Sequence, residues 1–175
     1  MKIARCLAIA IAAHGALGCA SSRPGPVLPD RPVALRYRTL DGGLDSIGRL
    51  RGRVVLVTVV ATWAATALLE VPLLKQTHNR YAKDGLEIVA LAIDETPLAV
   101  QVFADKFEIP YAVGLSEDDR ALMGPHGPFG EITRLPTSVL LDRDGLIVVR
   151  SDGMWDPAAL DAAVQRLLAT DPSDV

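Results

Sequence analysis

Cysteine is nearly missing from this chain: of 175 residues only Cys6 and Cys19 carry a thiol, and both stand at the N-terminal end. Past Cys19 there is nothing to form a disulfide or to attack as a thiolate. A surplus of positive charge is missing too. Eighteen Lys and Arg against 21 Asp and Glu leave a net charge of −3, which excludes the basic footprint of a nucleic-acid binder. The apolar run from Cys6 to Ala13 falls well short of the roughly 20 residues a membrane-spanning helix needs. No repeat at a fixed period and no low-complexity tract occurs, which excludes solenoids and disordered arrays. What is present, 50% hydrophobic and 22% charged residues, suits one globular domain with a sizeable core.

The N-terminus has the layout of an export signal: Lys2 and Arg5, then the apolar run, then small residues leading to Ala16-Leu17-Gly18-Cys19. Residues 1–18 are expected to be a signal peptide. The Ala-Leu-Gly-Cys ending resembles a bacterial lipobox, which implies acylation of Cys19 and a membrane-anchored lipoprotein on the periplasmic side of the cell envelope. Ordinary cleavage near Gly18 or Ala20, giving a soluble periplasmic or secreted protein, stays open. Residues 19–32, with Pro24, Pro26, Pro29 and Pro32, read as a stiff tether. Cys6 then leaves with the signal and Cys19 is consumed by the lipid, so the mature domain keeps no free thiol, although exported domains sit where cysteine pairs are stable.

A domain is expected over residues 33–170, with a frayed tail at 171–175. Val33–Thr39, the turn Asp41-Gly42-Gly43 and Leu44–Leu50, the last as a second extended piece or a turn of helix, predict an N-terminal β-hairpin. Val54–Ala61 is a continuous, β-branched run suited to a central strand buried on both faces. Thr66–Lys83 predicts an amphipathic helix with Leu68, Leu69, Val71, Leu73, Leu74 and Tyr81 inward, kinked by Pro72 and closed by Gly85. Leu86–Ile93 predicts a second buried strand, and Pro97–Phe107 a helix capped by Thr96. A short strand at Tyr111–Val113 and one or two helical turns at Asp118–Met123 follow. Ser138–Leu141 and Leu146–Val149 flank an Asp-Gly turn and predict a hairpin. Asp156-Pro157 opens a terminal helix. The order predicts a mixed sheet with helices on both faces, a three-layer α/β/α arrangement.

Three stretches carry a resemblance. Leu40-Asp41-Gly42 through Leu50-Arg51-Gly52-Arg53-Val54-Val55-Leu56-Val57 is one. Ala61-Thr62-Trp63, four residues, then Glu70-Val71-Pro72 is the second. Leu135-Pro136-Thr137 running into Ser138-Val139-Leu140-Leu141-Asp142-Arg143-Asp144-Gly145 is the third. In this order they resemble the thioredoxin-like proteins of the TlpA and ResA type, redoxins related to the AhpC/TSA group, over nearly all of 33–169. The resemblance implies a thioredoxin-like fold, a cis proline at Pro136, and a Cys-x-x-Cys site whose cysteines fall on Ala64 and Ala67. Alanine offers neither nucleophile nor proton, so the implied thiol-disulfide chemistry cannot run through this site; peroxiredoxin chemistry fails for the same reason.

The expectation is therefore a redox-inactive binding or scaffolding module with no cofactor and no catalytic residue. It would take an extended polypeptide or envelope protein at Trp63, Leu135, Pro136 and Thr137, through strand-like main-chain pairing at Pro136 and Thr137. Two alternatives stay open: an oxidoreductase working through a partner's cysteines, and a structural lipoprotein with no groove. Thr58, Val59 and Val60 read as plain core. His78 and His126 lack a third ligand at metal spacing and read as surface or loop histidines. Glu70, Asp94, Glu95 and Asp142 read as solvated or capping charges, Glu131 and Arg134 as candidates for partner charge preference, and the loop Gly124–Gly130 as either groove lining or connector.

Overall fold

A computed structural model describes residues 28–93 and 96–170. Of the sequence expectations, the export signal, Cys19, Asp94, Glu95 and the C-terminal tail lie outside the described residues, and so does the tether before Leu28. Seven strands form one sheet in the order β2-β1-β5-β4-β3-β6-β7. They are β1 (Arg36–Thr39), β2 (Leu44–Ser46), β3 (Val54–Val60), β4 (Leu86–Ala92), β5 (Ala112–Ser116), β6 (Thr137–Leu141) and β7 (Ile147–Asp152). The helices are α1 (Ala65–Tyr81), α2 (Pro97–Lys106), α3 (Asp119–Met123) and α4 (Pro157–Ala169), with short 3-10 turns at Ile47–Leu50 and Ala82–Asp84. β3, β4 and β5 are parallel; the remaining pairings are antiparallel, so the sheet is mixed as expected.

All seven residues of β3 are buried, because the strand sits between β4 and β6 and is covered on both faces. Its alternation splits the core. Val55, Val57 and Val59 point to a cluster with Val89, Leu91, Leu122, Phe129 and Ile132, under α3 and the loop after it. Val54 and Leu56 point the other way, to Leu74, Ile88, Leu160 and Val164, under α1 and α4. Each such valine contributes on the order of 1.5–3 kcal/mol by leaving water. Ala90 and Ala92 share a strand face, and Val100 of α2 packs on Ala92, so α2 lies on the same side as α1. Parallel crossovers of one hand that advance in one direction require this.

The predicted caps Thr96 and Asp156 are realised, and Asp118 adds a third. Thr96 Oγ1 accepts from Ala99 N–H, Asp118 from Ala121 N–H and Asp156 from Ala159 N–H. Arg143 donates to the carbonyls of Leu167, Leu168 and Thr170, placing a cation on the C-terminal end of α4. Asp142 caps the β6–β7 turn through Asp144 N–H and Leu146 N–H. At Gly114 any side chain would meet Tyr37 Cδ2 at 2.4 Å, so the β1–β5 pairing requires glycine there.

One expectation about α1 is corrected. Its inward residues are Ala67, Glu70, Val71, Leu74, Thr77 and Tyr81, whereas Leu68 and Leu69 are exposed. Apolar residues at 68, 69, 71, 73 and 74 cannot share one stripe at 3.6 residues per turn, and the packing selects 67, 70, 71 and 74.

Candidate functional site

The end of the sheet where β3 stops carries the sequence-predicted residues. After Val60 the chain turns through Ala61, whose carbonyl accepts from Ala64 N–H at 2.9 Å, and α1 begins with Ala64 in the N-cap position. Ala64 has no side-chain cap to offer, and Ala67 N–H bonds the Ala64 carbonyl instead at 3.0 Å. Ala67 is buried and Ala64 half-buried. Trp63, 71% exposed, stands out from the turn. Because β6 runs antiparallel to β3 with Val59 opposite Thr137, the segment before Thr137 lies level with Ala61. Leu135 and Ala64 both pack on the cluster that holds Val59, Ala61 and Phe129. The Leu135–Pro136 bond is cis, as the resemblance implies.

The structure thus brings Trp63, Ala64, Leu135 and Pro136 to one edge. It treats Thr137 differently. Thr137 is buried and paired with Val59 on one side and Asp152 on the other, and the Pro136 carbonyl already accepts from Gly153 N–H at 2.7 Å. Main-chain pairing with an outside strand at Pro136 and Thr137 is therefore taken up within the chain.

The loop ahead of Pro136 is held from β7. Arg150, with only 6% of its side chain exposed, donates to the carbonyls of Phe129 and Glu131 and bonds Asp152 at 2.7 Å. Thr137 Oγ1 lies 3.1 Å from the same Asp152 carboxylate and 2.7 Å from the Arg134 carbonyl. Phe129 is fully buried, so the Gly-Pro loop is a packed element. Arg150→Met is expected to lower stability by about 1–2 kcal/mol, since charge-assisted bonds to two carbonyls are lost while water recovers part of the loss. The midpoint of urea unfolding, with Arg150→Lys intermediate, checks this.

Beneath the edge lies a buried polar group that sequence reasoning missed. Glu70 is 2% exposed, which corrects its reading as a solvated charge. Thr58 Oγ1 lies 3.3 Å from Glu70 Oε2 and accepts from Ser138 Oγ at 2.9 Å, so β3 is not plain core at this point. Glu70 Oε1 is buried with no hydrogen-bond partner. Burial pushes the Glu70 carboxyl up to about 7, against a smaller lowering by Thr58. Burial, and next the nearby Glu70 charge, raise the Tyr111 hydroxyl. The available signal is position: Glu70 falls three residues after Ala67 and four before Leu74, on the inward face.

The two histidines occupy different settings. His78 is half-buried on α1, its ring tilted against Tyr111 at 6.1 Å between centroids, rather than on the surface as expected. His126 is exposed in the loop on the opposite face, where it lines a cleft with Pro29, Pro32, Val33 and Pro128 among others. Glu131 and Arg134 are exposed on the flank of the proline edge. Among the described residues no group of three or more His, Cys, Asp or Glu is arranged to hold a metal ion, and no helix is long and apolar enough to cross a membrane.

Comparison with known proteins agrees with this geometry. The Redoxin family model matches residues 31–161. Thiol-disulfide oxidoreductase ResA of Bacillus anthracis is 27% identical over 128 residues, which is 73% of this chain and 71% of that protein. Among solved structures, a thiol:disulfide interchange protein of the thioredoxin family from Chlorobium tepidum TLS superposes with a TM-score of 0.67 at 27% identity, covering 86% of this chain and all of the other. A secreted disulfide oxidoreductase of Mycobacterium tuberculosis, homologous to DsbE of E. coli, has a TM-score of 0.64 at 18% identity over 77% of this chain and 96% of its own, a likeness of fold.

Proposed function

The chain belongs to the Redoxin family, and from that premise we propose that it is an envelope-tethered thioredoxin-like domain that has given up thiol exchange and works by contact. The observation that carries the reading is the preserved edge around an erased site. The turn at Ala61, the start of α1, the cis Pro136 and the loop clamp through Arg150 are all built, while Ala64 and Ala67 occupy the two positions where the chemistry would need sulfur. Exchange proceeds by attack of a thiolate on a disulfide sulfur, and no side chain at this edge supplies one. The surface left over is the exposed Trp63 indole with the half-buried Leu135 at the same edge, Pro136 itself being buried beneath them, and this apolar surface is what a polypeptide would touch.

Cys19 would fix the domain to the membrane, with residues 20–32 as spacer. A pull-down from envelope extract tests the binding role: partners captured by the intact chain are expected to be lost when residues 134–136 are rebuilt as a glycine-containing trans loop. Capture of the same partners by both forms would count against it. Mass spectrometry of the mature protein is expected to show an acylated N-terminal Cys19.

A further inference from the structure

Lys75 and His78 of α1 hold the segment that joins α2 to β5. Lys75 Nζ donates to the Phe107 carbonyl at 2.6 Å, and the His78 ring leans on the Tyr111 ring at 6.1 Å between centroids. Between those two points Glu108 keeps a φ of +47°, in the left-handed region that residues with a Cβ seldom adopt. Tyr111 is buried, and its hydroxyl feels the Glu70 charge. Glu70, Leu74 and His78 follow one another one helical turn apart, so Tyr111 lies along one stripe of α1 from His78 toward Glu70. Glu70 Oε1 and His78 Nδ1 are both buried without a hydrogen-bond partner.

α2 has little purchase on the sheet. Of its ten residues Val100 alone is fully buried, in a cluster with Ala92 and Leu115. A cleft of about 370 Å³ lies between the helix and β5, lined by Gln101, Asp105, Glu108 and Tyr111 among others. Elements with so few buried apolar contacts open first. We propose that Glu70 and Tyr111 form a proton-operated latch that holds α2 on the sheet. The latch is closed while the Glu70 carboxyl keeps its proton and opens when the carboxylate forms, admitting water along Tyr111 and freeing α2 with residues 107–111. It acts through the body of the fold and is independent of the proposed contact role.

A neutral carboxyl can rest on Thr58 as its one partner, whereas a buried carboxylate needs more donors than Thr58 supplies. The neighbouring elements offer none. Ser138 already donates to Thr58, and Lys75 is committed to the Phe107 carbonyl. β3, β5 and β6 contain no charged residue, Glu87 of β4 is paired with Arg53, and Asp161 of α4 is paired with Arg80 at the far end of α1. From the α2 side come Asp105 and Glu108, which repel a further carboxylate, and Lys106, which lies over the Phe107 ring. Water is the remaining donor, and its entry costs least where the cover is thinnest, under α2. Trp155 Nε1 on the same side of the sheet also lacks a partner, which makes the start of α4 the rival route. The closed state binds the Glu70 proton more tightly than a hydrated one does, so raising the pH from about 4.5 to about 7 shifts the balance toward opening.

The test is amide hydrogen exchange read by mass spectrometry at pH 5.5 and pH 8, corrected for the intrinsic change in exchange rate, on the full chain and on Glu70→Gln. In the parent, peptides over 97–111 are expected to be less protected than β3 at both pH values, and to lose about tenfold or more of their protection between pH 5.5 and pH 8. In Glu70→Gln their protection is expected to change by less than about twofold, because the titrating group is gone. Protection of 97–111 equal to that of β3 at both pH values means that α2 opens only with the whole fold, and overturns the latch. A fall that persists in Glu70→Gln assigns the response to His78 or another group and overturns it too. So does the absence of any fall in the parent, or a fall confined to the start of α4 around Trp155.

Discussion

Cysteine installed at both Ala64 and Ala67 is expected to turn the chain into a working dithiol protein, from no turnover to catalysed insulin reduction in the presence of dithiothreitol. The helix supplies what the chemistry needs except for sulfur. Residue 64 holds the N-cap and residue 67 the third helical position, so two sulfurs would fall on one face of the first turn. Unpaired N–H groups and the positive end of α1 lower a thiol there below its free value of about 8.5. The extra atom at the buried position 67 costs about 1–3 kcal/mol of overpacking. Mass spectrometry after mild oxidation is expected to show loss of two protons from the Ala64→Cys/Ala67→Cys form, reversed by dithiothreitol. A double variant that folds but does not oxidise would mean that the start of α1 is displaced from the geometry described.

Stability is expected to fall as pH rises from about 4.5 to about 7, because of Glu70. Its carboxyl titrates near 4.5 when exposed in the unfolded chain and is pushed up to about 7 in the fold by burial. Between those values the folded state holds a proton that the unfolded state has released, so unfolding releases protons and stability drops with rising pH; above about 7 both states are ionised and the loss is complete. The gap corresponds to on the order of 3 kcal/mol, the cost of keeping a carboxylate beside Thr58 with one oxygen unpartnered. Glu70→Gln removes the titration. Urea unfolding at pH 8 is expected to show the variant more stable than the parent by a comparable amount, with the two nearly equal at pH 4.5. A parent whose stability rises over that window would contradict the burial of Glu70. Asp41 and Asp161, both held below the usual range by hydrogen bonds, act in the opposite sense and only at lower pH, outside this window.

The chain's elements are legible in its sequence because local signals and packing agree in most of it. The Val54–Val60 run, the Thr96 and Asp156 caps and the Asp-Gly turn each have a single sterically natural outcome, and each is found in the fold. The resemblance supplies what pattern cannot: the cis bond at Pro136 and the meaning of Ala64 and Ala67. Sequence fails where one residue's role depends on residues far along the chain. Glu70 reads as a surface charge until Thr58 and Ser138 are seen beside it on β3 and β6. Nothing local marks Arg150, because the Phe129 and Glu131 carbonyls that it holds come from a loop far earlier in the chain. Leu68 and Leu69 read as inward because hydropathy alone cannot distinguish a core-facing leucine from an exposed one.

The most direct test of the central claim is insulin reduction by the purified full-length chain with dithiothreitol as reductant. The rate is expected to equal that of dithiothreitol alone. Turnover above that background, persisting in a Cys6→Ser/Cys19→Ser variant, would contradict the account.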